Sequence, residues 1–114
     1  MVKKIKSLLG RKKDQKSKIL VDIHSHVLPG LDDGSKSLEQ SLQLVKGLSD
    51  FGYTKLIATP HISEIYPNSK ETIEVAYASL QKSLKQHDIK VTVEYAAEYL
   101  LDDNFLKLIE KMIY

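Results

Sequence analysis

Residues 19–34 read ILVDIHSHVLPGLDDG. The apolar, β-branched run at the front is long enough for one buried strand. In an extended segment residues two apart point the same way, so His24 and His26 project together and Ser25 points opposite. Behind them Gly30 and Gly34 permit sharp turns, and either Asp32 or Asp33 can swing a carboxylate over the strand end. A His-x-His pair alone is a weak sign of a metal site. Its weight depends on what the rest of the chain brings to the same place.

Outward from this stretch the pattern is regular. SKSLEQSLQLVKGLSDFG carries a helical stripe of Leu38, Leu42, Val45 and Leu48, with Ser37 and Gln40 as a capping box and Gly52 at the stop. YTKLIATPH is a second buried strand, ended by Pro60. NSKETIEVAYASLQKSLKQHD is a second helix, with Asn68 and Glu71 as cap pair and Ile73, Ala76, Tyr77, Leu80 and Leu84 inward. IKVTVEYAAEY reads as a third strand, and DDNFLKLIEKMIY begins a third helix. The order is βαβαβα, with strands starting near 19, 54 and 90, a spacing of about 35 residues that suits one strand plus one helix. Such alternation implies an α/β fold with a parallel sheet covered by helices, either an open doubly wound sheet or a (β/α) barrel.

On that frame His24 and His26 end the first strand, His61 follows the second and Glu98 ends the third. Parallel strands put their C-terminal ends on one edge, where α/β folds build their sites. Three strands therefore deliver three imidazoles and a carboxylate to one edge, a donor set for manganese, iron or zinc. Asp33 reads equally well as a turn former. Asp22, inside the strand, is expected to make a structural hydrogen bond, and His87 to sit at a helix C-terminus, where the helix dipole favours it.

Composition narrows the class. At 114 residues the chain is one domain at most, and without cysteine it has neither disulfides nor thiolate sites, which suits the cytoplasm. It has no run of about 18 apolar residues to span a membrane, and its basic start is not a signal peptide's apolar segment. Residues 1–18 hold seven lysines and Arg11 against Asp14, a net +7 that leaves −5 for the remainder. The arm reads as a solvated leader or as a contact for an anionic membrane surface. Nucleic acid is a poor partner for the acidic remainder.

DIHSHVLPGLDDGSKSLEQSL, IATPHI and AAEYLLDDNF resemble the first half of the bacterial PHP-type protein-tyrosine phosphatases of capsule and exopolysaccharide systems, PHP being the polymerase and histidinol phosphatase superfamily. The likeness spans about residues 19–110. His-x-His is shared with amidohydrolases, whereas the LPGLDDG loop followed by TPH is more specific. The resemblance implies a distorted (β/α)7 barrel around up to three metal ions, commonly manganese. It implies that His24 and His26 bind one metal, that Asp33 and His61 bind another, and that Glu98 bridges. It further implies hydrolysis of phosphotyrosine by a metal-activated water, on substrates such as membrane tyrosine kinases that control polysaccharide export.

Seven units of this length need about 245 residues, so residues 19–114 are expected to be three βα units of a PHP barrel, incomplete in this chain. The family's later ligands and its phosphate-binding arginine have no counterpart, because Arg11 is the only arginine. The chain alone is therefore expected to be inactive: a truncated phosphatase, a half-barrel that closes with a second copy, or a non-catalytic remnant that binds metal or a kinase.

Overall fold

In the computed structural model, which describes residues 20–113, the opening apolar run forms β1 (Leu20–Ser25). The basic stretch 1–18, with its expected membrane contact, lies outside the described residues. The chain continues as α1 (Leu38–Asp50), β2 (Tyr53–Ala58), β3 (His61–Ile62), α2 (Lys70–Gln86), β4 (Thr92–Tyr95), β5 (Glu98–Tyr99) and α3 (Asp103–Ile113). β1, β2 and β4 form one parallel sheet in that order, and β3 pairs with β5 in a second. Each main strand thus lies beside the one before it, an order shared by the first half of a doubly wound sheet and by a (β/α) barrel.

Two expected strands are each split in two. Pro60 has no N–H to give and interrupts the ladder, so the second strand stops at Ala58 and resumes at His61. Its partner breaks at the matching place, while Ala96 N–H to Ala58 O and Glu98 N–H to Pro60 O carry the pairing across the gap. β3 and β5 then place His61 directly opposite Glu98.

The core lies between the main sheet and two helices. Leu56, Ala58 and Val93 are buried on the face that meets Val45 of α1 and Ile73, Leu80 and Leu84 of α2. Alternate positions Thr92 and Glu94 are exposed, as period two requires, and Lys55 meets Glu94 across the other face at 3.2 Å. α1 follows its predicted stripe: Leu38, Leu42 and Leu48 flank buried Val45. Its Ser37 hydroxyl accepts the Gln40 N–H at 3.1 Å, but the Gln40 side chain accepts from Lys36 N–H, one residue before the cap. Ser37→Ala is accordingly expected to lower stability by about 1 kcal/mol, read as a shift in urea midpoint at constant slope.

α2 corrects one expectation. Its cap is Ser69, whose hydroxyl and that of Thr72 satisfy each other's backbone N–H; Asn68 and Glu71 do not cap it. Asn68 is turned instead toward the neighbouring loops. Asp102, just before α3, accepts from Phe105 N–H with one carboxylate oxygen and from Glu64 N–H with the other, which ties the segment after β3 to the third helix. Among the described residues no helix is long and apolar enough to cross a membrane.

Candidate metal centre

The histidine pair stands on an irregular strand end. Asp22 is opposite Leu56 and Ser25 opposite Ala58, so β1 uses three steps where β2 uses two. This is the signature of a bulge, which bends a strand and re-aims its side chains. Asp22 Oδ1 accepts the His24 N–H at 3.0 Å within it, the structural role expected of that residue. His26 lies just beyond the strand, and the two Nε2 atoms stand 3.2 Å apart.

Glu98 completes a triangle with them. Its Oε2 is 3.5 Å from His24 Nε2 and 3.3 Å from His26 Nε2, and it also lies 3.5 Å from His61 Nδ1. That oxygen is buried and has no hydrogen-bond partner. A buried carboxylate oxygen left unpaired is costly unless something else meets it. Two ligands about 2.1 Å from one cation stand about 3.0–3.4 Å from each other in octahedral or tetrahedral arrangements. The edges of this triangle are of that size, so the residues present fit a divalent ion.

A second cluster adjoins the first. His61 Nε2 lies 3.5 Å from Asp33 Oδ1, and His26, Asp32, Asp33 and His61 have ligand atoms close enough together for an ion. The His61 ring stacks with His26 at 4.5 Å between centroids and with Tyr66 at 5.6 Å, so its orientation is held by packing. All five predicted residues, His24, His26, Asp33, His61 and Glu98, therefore converge, with Glu98 adjoining both clusters. His87 does not join them; it caps α2, where its Nδ1 meets Ser83 O at 2.8 Å.

The residue that the sequence left ambiguous is Asp32. Its side chain is 1% exposed while that of Asp33 is 65% exposed. Asp32 Oδ2 takes the His26 Nδ1 at 2.9 Å and accepts the His61 N–H at 2.9 Å, and Oδ1 accepts the Gly34 N–H. A carboxylate behind a histidine sets its tautomer and raises its basicity toward a cation. Burial pushes the Asp32 carboxyl up, yet the His61 and Gly34 N–H groups and the His26 ring more than offset it, and its pKa falls below the usual value.

Glycine makes this inward turn possible. A Cβ on Gly34 would collide with the Cβ and carbonyl of His26, so only glycine lets the loop close this tightly. Gly30, at φ +70°, donates to Ser35 O, and Ser35 N–H returns to His26 O. The buried Ser35 and Ser41 hydroxyls, 2.6 Å apart, then fasten the loop to α1.

Comparison with known proteins finds relatives of the chain. A family model described as capsular polysaccharide synthesis, CpsB/CapC, matches residues 20–114. The tyrosine-protein phosphatase YwqE of Bacillus subtilis is 33% identical over 75 residues, covering 65% of this chain and 30% of that protein. The tyrosine-protein phosphatase CpsB of Streptococcus pneumoniae is 27% identical over 93 residues, 81% of this chain and 38% of that one. A chain from the crystal structures of YwqE and CpsB, described there as metal-dependent tyrosine phosphatases, superposes with TM-score 0.71 and 29% identity over 81% of this chain. This chain spans about a third of the length of the relatives it matches.

Proposed function

The chain belongs to the CpsB/CapC family of capsular polysaccharide synthesis, and from that membership we propose that it carries part of the metal centre of a metal-dependent protein-tyrosine phosphatase. The single observation behind this reading is the buried, unpartnered Oε2 of Glu98 amid three imidazole nitrogens. His24 and His26 would hold one ion and Asp33 and His61 a second, with Glu98 as a ligand beside both pairs. Asp32 would act from behind these ligands: it orients His26 and anchors the backbone of His61. Manganese is the ion we favour over iron or zinc. When bound, such ions acidify water toward a nucleophile and neutralise phosphoryl oxygens. The chain contains no cysteine, so it can form no cysteinyl-phosphate intermediate.

We place residues 19–114 as the first three units of the distorted (β/α)7 PHP barrel, preceded by the basic arm of residues 1–18. Apolar side chains left open for further units to cover support this, among them Ile23 at 76% and Met112 at 86% exposure, and the sequential strand order accords with it. The substrate we propose is phosphotyrosine on a membrane tyrosine kinase of a polysaccharide system, reached from the cytoplasm. The +7 arm suits an anionic membrane surface nearby.

In the isolated chain the side chains of His24 and Asp33 are 59% and 65% exposed. Water there screens the charges that would stabilise a transition state, so the chain alone is expected to bind metal without turnover. The experiment is a graft: residues 20–114 replace the matching segment of the Bacillus subtilis relative. The graft is expected to hydrolyse a phosphotyrosyl peptide with manganese, and His24→Ala in it to reduce the rate at least 100-fold. A folded, manganese-loaded graft without activity on that peptide would refute the phosphatase reading.

A further inference from the structure

We propose that Asn68 is a positioning residue for the Asp33–His61 half of the metal centre. The proposal rests on the metal-centre reading above and goes one step beyond it, to a residue that touches no ion.

The His61 peptide is gripped from both sides. Its N–H goes to Asp32 Oδ2 at 2.9 Å, and its carbonyl accepts from Asn68 Nδ2 at 2.9 Å. The same Asn68 nitrogen donates to Leu31 O at 2.8 Å, so both hydrogens of the amide are spent on carbonyls of the two ligand-bearing segments. Asn68 Oδ1 lies 3.2 Å from the hydroxyl of Thr72, in the first turn of α2. One half-buried side chain thus joins the acidic loop, β3 and the start of α2.

Asp33 follows Leu31 by two residues, and its carboxylate is largely exposed. What sets its distance from the His61 ring is the spacing of the two backbones, which two side chains span: Asp32, on the His61 N–H, and Asn68, on the carbonyls of His61 and Leu31. The other half of the centre is held differently: Glu98 N–H bonds to Pro60 O, and the His26 ring bonds to Asp32. Removing Asn68 should therefore loosen one pair of ligands and spare the triangle of His24, His26 and Glu98. Nor is Asn68 needed to start the helix, because Ser69 and Thr72 already close that cap.

The test is a Mn2+ titration of the full 114-residue chain, followed by the EPR signal of free Mn2+, with circular dichroism melts alongside. The wild-type chain is expected to take up two ions of different affinity. Asn68→Ala should weaken one of them 10- to 100-fold, the range typical for partners that orient metal ligands, and leave the other unchanged. His24→Ala should weaken the other ion instead. Asn68→Ser, which keeps one donor, serves as a second variant if Asn68→Ala does not fold, with a smaller loss at the same ion. Unchanged affinities in a folded Asn68 variant, an equal loss at both ions, or unfolding of both variants would overturn the proposal. A folded wild-type chain that takes up fewer than two ions would instead overturn the two-ion reading beneath it.

Discussion

Asp32→Ala is expected to lower the stability of the metal-free chain by about 3 kcal/mol and manganese affinity at least tenfold. The first number follows from the donors it leaves behind: His26 Nδ1 and the N–H groups of His61 and Gly34 all meet this carboxylate, whose side chain is 1% exposed. A buried donor without an acceptor costs about 1–3 kcal/mol, and local relaxation returns part of the sum. The second follows because the same loss frees the His26 ring and the His61 backbone, and orienting partners of this kind contribute about 10- to 100-fold. Urea unfolding and an EPR titration measure the two effects. Unchanged midpoint and affinity would make Asp32 a bystander. The acid limb gives the sign independently: Asp32 titrates below its usual 3.8 in the folded chain. Its contribution is thus fully present above that pH and is lost as pH falls through the lower folded value.

Glu98→Gln should separate metal binding from stability. The wild-type Oε2 is buried and without a partner, a state that costs stability in the metal-free chain. A glutamine amide can donate to one of the imidazole nitrogens around it. The metal-free melting temperature is therefore expected to hold or rise slightly. The rise in melting temperature that manganese gives the wild-type chain by mass action should disappear, with affinity down at least about 100-fold through loss of the bridging carboxylate. A variant that is less stable without metal yet keeps its manganese-induced shift would mark Glu98 as a structural residue.

The convergence of His24, His26, His61 and Glu98 was legible in the sequence because parallel βα units place strand ends on one edge. The stripe of α1 and its Ser37 cap were legible for the same kind of reason, since both depend on residues within one turn of each other. What escaped depended on distant contacts. DDG does not say which acid turns inward; that is decided by the approach of Gly34 to His26 and by the N–H of His61, far along the chain. Asn68 and Ser69 are both good caps, and the choice falls to Ser69 because Asn68 is engaged by Leu31 and His61. Pro60 was visible as a break, but not the resumption of pairing beyond it that sets His61 beside Glu98. The bulge in β1 likewise arises from register with β2, which no local pattern encodes.

The most direct test of the metal centre is a crystal of the chain grown with Mn2+, with anomalous diffraction recorded at the manganese edge. A peak about 2.0–2.3 Å from His24 Nε2, His26 Nε2 and Glu98 Oε2 is the expected result. A manganese-containing crystal with no peak among these three side chains would contradict it.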